Sequence, residues 1–252
     1  MIEAETARRW PPTWYQRGIS VVGRYVITSL VLLPAVAATG WTLTKLSSGA
    51  TAAVLAFVVM AAIAGLALQR HYPHDRLGIA NVVTLLRSAM IAALCSLLAA
   101  PGLLVQSDQL GWTVLAIAIV SLSLDGVDGY FARRQGLSSD FGARFDMEID
   151  SVFALLLALL SWQSGKAGPW VMVLGGMRHL FLAAALAWPW LMAPLPDRFS
   201  RKAICVVQIA VLIALLAPII GGPLSWTIAA VATVLLVYSF GRDVVWLARH
   251  RP

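Results

Sequence analysis

The chain has 252 residues, of which 60% are hydrophobic and only 12% are charged, and its mean hydropathy is +0.80. Soluble domains carry charges on about a quarter of their residues, so this composition excludes an ordinary soluble fold and indicates an all-α, polytopic membrane protein. The two cysteines, Cys95 and Cys205, lie in apolar runs, which argues against a disulfide framework and against a thiolate metal site.

Residues 1–24 are polar and basic, with arginines interleaved with Trp10, Trp14 and Tyr15. This pattern is typical of a segment that lies at the membrane surface. A disordered tail is the alternative, and so is a cleaved signal peptide, because Ala35-Val-Ala37 follows an apolar run. Eight apolar runs of about 20 residues follow, the length needed to span a bilayer. They lie near residues 25–43, 50–68, 81–100, 110–130, 141–163, 169–190, 203–220 and 225–246.

Basic residues are distributed unevenly among the turns between these runs. If the N-terminus is cytoplasmic, the outer turns contain only Lys45 and Lys166. The cytoplasmic turns then contain Arg70, Arg76, Arg133, Arg134, Arg144, Arg198, Arg201 and Lys202. Lysine and arginine are retained on the cytoplasmic side, so the distribution supports eight spans and a cytoplasmic location for the turn between the fourth and fifth runs. We expect a bacterial-type inner membrane, with an active site on its cytoplasmic face. We interpret the net charge of +7 as orientation and contact with anionic lipid, and expect no nucleic-acid partner.

The third run begins with a polar stripe, in which Asn81, Thr84 and Arg87 recur at every third position. This spacing places the three side chains on one face of a helix whose other positions are apolar. Asn81 is then either a helix cap or part of a polar site, and the Thr84 hydroxyl either bonds to its own helix or faces that site.

The segment from Asp125 to Asp150 places four carboxylates between two apolar runs of membrane length. Asp125 and Asp128 are three residues apart, and Asp146 and Asp150 are four apart. In helices, each pair therefore occupies one face. Gly136, Ser138 and Ser139 interrupt the pattern between the pairs, and Ser139 or Asp140 is a suitable N-cap. The segment predicts an antiparallel helical hairpin whose two carboxylate pairs face each other.

Four neighbouring carboxylates repel one another unless a cation lies among them. Mg²⁺ and Mn²⁺ take oxygen ligands in this way, and the segment contains no cysteine or histidine that would favour a softer metal. Gly129, Ala132 and Gly142 are small enough to let a bulky ligand approach the helix backbones. Arg133 provides a planar cation for a phosphate. The sequence therefore predicts a divalent metal site that binds a phosphorylated ligand.

The segment resembles the CDP-alcohol phosphotransferase family, because it matches every fixed position of the signature D-x2-D-G-x2-A-R-x8-G-x3-D-x3-D. The matching residues are Asp125, Asp128, Gly129, Ala132, Arg133, Gly142, Asp146 and Asp150. The resemblance covers about residues 75–247. It implies a six-helix core in residues 75–252, preceded by residues 1–74 with two additional membrane helices, and it implies a homodimer.

The resemblance also implies an activity, the transfer of a phosphatidyl group from CDP-diacylglycerol to an alcohol with release of CMP, in phospholipid biosynthesis. Asp125, Asp128 and Asp146 would hold Mg²⁺ or Mn²⁺. Asp150 would be a further ligand or the catalytic base that takes the proton of the attacking hydroxyl. Gly129, Arg133 and Gly142 would accommodate the CDP moiety.

Three further positions are matched by resemblance alone. The first core helix of the family begins with Pro-Asn-x-x-Thr-x-x-Arg, so Asn81 and Thr84 would contact the nucleotide, although Ala80 replaces the proline. Arg178 lies where the family carries an arginine in its fourth core helix, and it would line the active-site cavity. His179 stands where the family often has an acid.

The acceptor alcohol is left open by the sequence. A basic turn before the seventh run, with Arg198, Arg201 and Lys202, favours a phosphorylated alcohol or lipid headgroups, unless its charge serves orientation alone. Glycerol 3-phosphate, inositol phosphate, serine, choline and phosphatidylglycerol are the acceptors that the resemblance implies.

Two other classes use similar residues. Membrane prenyltransferases bind a diphosphate through Mg²⁺ and aspartate-rich motifs, but these motifs lie on well-separated helices. A cation transporter uses acidic residues in the membrane as an ion path, but it does not require Arg133 or the small residues beside the acids.

Overall fold

The computed structural model of the chain describes residues 19–135, 137–196 and 199–250, with the side chains of 127–133, 135, 201 and 202 left out. Its α-helices are α1 (Val21–Thr44), α2 (Ser47–His71), α3 (Ile79–Cys95), α4 (Leu103–Gln106), α5 (Asp108–Gln135), α6 (Asp140–Gln163), α7 (Val171–Ala187), α8 (Phe199–Leu215) and α9 (Gly222–Arg249). Short 3₁₀ turns lie at Ser96–Ala99 and Pro189–Met192. These ranges contain no strand, which confirms the all-α prediction. Of the predicted surface segment, residues 1–18 lie outside the described ranges.

The eight long helices each coincide with one of the predicted apolar runs. Five of those described are long and apolar enough to cross a membrane, namely α1, α2, α3 with its following 3₁₀ turn, α5 and α9. The helices α7 and α8 are apolar but shorter, and α6 has 24 residues and begins with the acidic segment. Large apolar side chains face outward, with Val31 70% exposed and Val234 67% exposed. An exterior this apolar is unfavourable in water and suits the hydrocarbon core of a bilayer, so the fold is that of an integral membrane protein.

The helices α1 and α2 form a hairpin that packs along α3. The hydroxyl of Tyr25 in α1 donates a hydrogen bond of 3.0 Å to the carbonyl of Ala61 in α2. Close approach depends on a glycine, since a Cβ at Gly40 would lie 2.8 Å from the Cβ of Ala53. The first two helices therefore belong to the same packed bundle as the remainder of the chain.

The turn between α5 and α6 lies beside the connection from α2 to α3. His74 Nε2 is 3.3 Å from the carbonyl oxygen of Ser138, and a Cβ on Gly78 would lie 3.4 Å from a methyl carbon of Leu137. Ser139 is the N-cap of α6, and its hydroxyl accepts a hydrogen bond of 3.1 Å from the amide of Gly142. The predicted turn and cap are confirmed, and the start of α3 is brought to the same end of the bundle as the acidic segment. The two helices that flank the turn both pack against α3, and the predicted facing of the two complete carboxylate pairs stays a prediction.

The helices α6 and α7 pack very closely at one point. A Cβ on Gly175 in α7 would lie only 2.4 Å from the Cβ of Ala158 and 2.6 Å from the carbonyl oxygen of Ala154, both in α6. Buried side chains of α6, such as Phe153 and Leu157, form the centre of the hydrophobic core. This packing holds α6, which carries two of the acids, between α3 and α7.

Candidate active site

A buried arginine, Arg87, lies at the centre of the acidic cluster. It belongs to α3 and its side chain is fully buried. Its Nη1 is 2.9 Å from Oδ1 of Asp125 and also donates to Oδ1 of Asp146, while its Nη2 donates to Oδ1 of Asp150. Its Nε donates a hydrogen bond of 3.1 Å to the carbonyl of Ser121. One guanidinium thus binds three carboxylates from two other helices.

Helical spacing explains how the three carboxylates reach the same cation. Asp146 and Asp150 are one turn apart on α6, and Ser121 and Asp125 are one turn apart on α5. Because α3 packs against both α5 and α6, Arg87 contacts both pairs. The side chains of Asp125, Asp146 and Asp150 are 34%, 32% and 41% exposed. The arginine therefore approaches from the buried side, and the carboxylates are open on the other.

The cluster fits a divalent cation. One carboxylate oxygen from each of Asp125, Asp146 and Asp150 lies within 4.8 Å of the other two. Three carboxylates and one guanidinium carry a net charge of about −2 at neutral pH, which a single divalent ion would neutralise. The donors are all oxygen atoms, the type that Mg²⁺ and Mn²⁺ prefer. The side chain of Asp128, one turn after Asp125, is outside the described part of the structure.

The polar stripe of α3 is buried beside the start of α6. Asn81 is 4% exposed and Thr84 is 3% exposed. A Cβ on Gly142 would lie 3.2 Å from Oδ1 of Asn81 and 3.3 Å from Oγ of Ser139, so this glycine allows α3 and α6 to approach each other. The Thr84 hydroxyl donates to the carbonyl of Ala80 at 3.0 Å, so it bonds to its own helix, which was one of the two alternatives for this residue. The contact of Asn81 and Thr84 with a nucleotide stays a prediction.

Arg178 contacts an acid on a different face of α6. Its Nη2 donates to Oε1 of Glu148, and the two side chains are 32% and 52% exposed. Glu148 is two residues from both Asp146 and Asp150, which places it on the opposite side of the helix. The acid that the resemblance leads one to expect beside Arg178 therefore comes from α6 rather than from position 179. The predicted role of Arg178 in lining the active-site cavity is not tested by this contact.

Other predicted site residues fall outside the described side chains. Gly129 and Arg133 belong to α5 by their backbone, and Arg201 and Lys202 belong to α8. Arg198 lies outside the described residues altogether. The predicted contacts of these residues with CDP, phosphate or lipid headgroups stay predictions.

Arg87 was not predicted to be a site residue. Its place on the polar stripe was predicted, but its pairing with the acids was not. A signal was present, because an arginine inside an apolar run requires a counter-charge, and the acidic segment offers several. Glu148 was missed in the same way, although it lies within the acidic segment.

Comparison with known families assigns the chain. The model of the CDP-alcohol phosphatidyltransferase family matches residues 77–238, close to the range of 75–247 expected from the signature. The matched range contains Arg87 and the three clustered carboxylates, and it leaves α1 and α2 outside. No curated protein and no solved structure matches the chain significantly. Because the family match covers more than half of the chain and includes the whole acidic cluster, the chain belongs to the CDP-alcohol phosphatidyltransferase family.

Proposed function

We propose that this membrane transferase moves a phosphatidyl group from CDP-diacylglycerol to an alcohol acceptor, with release of CMP. The observation that supports the proposal best is the cluster of Asp125, Asp146 and Asp150 around Arg87, within the range of the family match. Phosphoryl transfer requires positioning and neutralisation of negative charge rather than covalent help from the protein. The three carboxylates suit that task, because they are exposed on one side and are held by the buried Arg87 guanidinium on the other.

The carboxylates of Asp125, Asp128 and Asp146 would hold one or two Mg²⁺ or Mn²⁺ ions, with Asp150 as a further ligand. Bound metal would supply positive charge that stabilises the diphosphate oxygens and the departing CMP. The protein's contribution is to fix the ligands in place, and Arg87 does this from the buried side because it contacts all three described carboxylates. Arg87 is thus a positioning residue in this proposal.

Asp150 is proposed as the base. It is the most exposed of the three carboxylates that Arg87 contacts, at 41%. It would take the proton from the acceptor hydroxyl as that oxygen bonds to the phosphorus that carries the diacylglycerol group. The bond from this phosphorus to the bridging oxygen breaks, and CMP leaves with the bonding electrons. The products are a phospholipid and CMP, and the proton on Asp150 passes to solvent.

The remaining site residues are proposed from the resemblance to the family, except for the basic group, which is proposed from its charge. Asn81, Thr84, Gly129 and Gly142 would surround the CDP moiety, and Arg133 would bind a phosphate. Arg178 would lie at the edge of the cavity. The acceptor's phosphate or lipid headgroups would be bound by a basic group of three residues, Arg198, Arg201 and Lys202.

We further propose an inner-membrane location, with the active site at the cytoplasmic face, and a homodimer. The orientation follows from the distribution of lysine and arginine among the turns. The dimer follows from the family alone. We also propose that the chain has two parts, with two additional helices in residues 1–74 and the catalytic core in residues 75–252.

The alternative classes are less consistent with the geometry. The clustered acids lie on α5 and α6, which are consecutive helices joined by a short turn, whereas prenyltransferase motifs lie on well-separated helices. A transporter has no requirement for a buried guanidinium that binds three carboxylates and thereby occupies the ion path.

The test uses purified full-length protein in mixed micelles with Mg²⁺. Labelled CDP-diacylglycerol is supplied with glycerol 3-phosphate, inositol phosphate, serine, choline or phosphatidylglycerol, and CMP and the lipid product are measured. We expect one acceptor to give CMP and phospholipid in equal amounts. A parallel incubation with a prenyl diphosphate should release no diphosphate. If no acceptor supports CMP release while a prenyl diphosphate is consumed, the proposal is wrong.

A further inference from the structure

A groove lies between α2 and α6, on a different side of α6 from the carboxylates that Arg87 contacts. Its volume is about 610 Å³, within the range of sites that enclose small ligands. The helix α2 lies outside residues 77–238, so the family core alone does not form this groove. Most of its wall is apolar, formed by Met60, Ile63 and Ala64 of α2 and by Phe145, Ile149 and Val152 of α6.

The groove changes from polar to apolar along its length. His71, at the end of α2, and Asp140 and Arg144, at the start of α6, line one end. Met60 and Val152 line the other end. From Met60 to His71, α2 rises by roughly 16 Å at 1.5 Å per residue. A molecule that fills this space would need a polar group at the end of the bundle where the acidic segment begins, and an apolar chain that extends toward the membrane centre.

Arg144 and His71 give the polar end of the groove hydrogen-bond donors that suit an anionic headgroup. Arg144 is exposed and makes no hydrogen bond or ion pair that is recorded within the described ranges. His71 is also exposed and lines the same groove, with Nδ1 3.1 Å from the carbonyl oxygen of Ala67. Of the two acids on the wall, Glu148 is neutralised by Arg178. Asp140 lies in the first turn of α6, where the positive end of the helix dipole, about half an elementary charge, offsets part of its negative charge.

We infer that this groove binds one anionic phospholipid of the surrounding membrane. Its phosphate lies at Arg144 and His71, and one acyl chain extends between α2 and α6 toward Met60 and Val152. The lipid is not the transferred substrate, because the groove and the proposed metal ligands use different faces of α6. The inference gives α2 a role, which is to complete a lipid site that the family core lacks.

Native mass spectrometry of the detergent-purified, delipidated full chain tests this inference. The protein is titrated with phosphatidylglycerol and, separately, with phosphatidylcholine that has the same acyl chains. We expect one phosphatidylglycerol to bind at concentrations where phosphatidylcholine does not. Arg144→Gln should weaken this binding roughly five- to tenfold, since it removes one charge-assisted contact. The control is Arg70→Gln, which removes an equally exposed charge in the last turn of α2 and should leave the affinity unchanged.

A second pair of variants tests the apolar part. Ala67→Phe places a large side chain in the groove and should abolish retention of the lipid, whereas Ala62→Phe adds the same bulk at an exposed position of α2 outside the groove and should not. Asp150→Asn should retain the lipid, which separates this site from the metal cluster and from the proposed activity. The inference is overturned if phosphatidylcholine binds equally well, if Arg144→Gln and Arg70→Gln behave alike, or if CDP-diacylglycerol displaces the lipid only when Asp150 is intact.

Discussion

Nη1 of Arg87 lies 2.9 Å from Oδ1 of Asp125, on the neighbouring helix α5. The same guanidinium also binds Asp146 and Asp150 on α6, and it is fully buried. An arginine at this depth in a membrane protein is costly unless it is paired, and three carboxylates this close are costly without a cation. Arg87 and the three carboxylates therefore stabilise one another, and their ion pairs fix the positions of α3, α5 and α6 relative to one another.

Replacement of Arg87 should lower stability. In Arg87→Gln the three carboxylates lose their buried cation, and their net charge changes from about −2 to −3. Loss of one partner from a fully buried pair costs about 3–5 kcal/mol, and about 1–3 kcal/mol is expected here because the carboxylates are about one third exposed. The thermal midpoint in detergent should fall, and Mg²⁺ should raise it more in the variant than in the unmodified protein.

Two further variants serve as comparisons for that experiment. Arg87→Lys keeps the charge but loses the planar fork, and it should recover only part of the stability. Arg70→Gln, at an exposed position, should leave the midpoint unchanged. An unaltered midpoint in Arg87→Gln would contradict the structural role assigned to the cluster.

Asp150→Asn should abolish most of the transferase activity. The amide keeps the size of the side chain and accepts a hydrogen bond from Arg87, but it does not take a proton from the acceptor hydroxyl. General-base catalysis contributes about 10²- to 10⁴-fold, so the rate of CMP release should fall by that order. Asp75→Asn, an exposed aspartate in the connection before α3, is the matched control and should retain full activity. Retention of CMP release in Asp150→Asn would remove Asp150 from the role of base.

Activity should depend on a divalent metal held by the cluster. A chelator should stop CMP release, and added Mg²⁺ or Mn²⁺ should restore it. Asp146→Asn removes one oxygen ligand and its charge, so it should raise the metal concentration for half-maximal activity by about tenfold or more, since loss of even an outer-shell partner has an effect of that size. Asp140→Asn, an exposed aspartate at the start of α6, should leave the metal dependence unchanged. Full activity in the chelator would refute the metal site.

Two adjacent glycines of α7 should respond differently to the same substitution. In Gly175→Ala the new methyl group would lie 2.4 Å from the Cβ of Ala158, so α7 must move away from α6. Such overpacking costs about 1–3 kcal/mol. In Gly176→Ala the nearest atom, Cδ1 of Leu155, is at an ordinary contact distance of 3.7 Å, and higher helix propensity should stabilise the helix by up to about 1 kcal/mol. Thermal midpoints of the two variants check this, and equal midpoints would contradict the packing described for α6 and α7.

The position of the site along the chain was predictable because the relevant signals are local. Hydrophobic runs of membrane length predicted where the eight long helices lie, and the break at residues 136–139 predicted the turn between α5 and α6. Ser139 was one of two residues expected to cap α6, and its hydroxyl does accept the amide of Gly142. The spacing of Asp146 and Asp150 placed both on one face of a helix, where the structure has them.

The partners of these residues were not predictable in the same way. Arg87 and the acids belong to separate helices, and periodicity within one helix does not state which other helix faces it. The pairing of Arg178 with Glu148 depends likewise on the close approach of α6 and α7 at Gly175. The groove between α2 and α6 exists only because the N-terminal hairpin packs beside the core.

By itself, the sequence determined the membrane class, the positions of the helices and the acidic residues of the candidate site, because composition, helical periodicity and residue spacing are properties of neighbouring residues. Only the tertiary structure decided that a buried arginine from α3 forms ion pairs with Asp125, Asp146 and Asp150. The physical reason is that charges must be paired where water is excluded, and the packing of distant helices selects the partner.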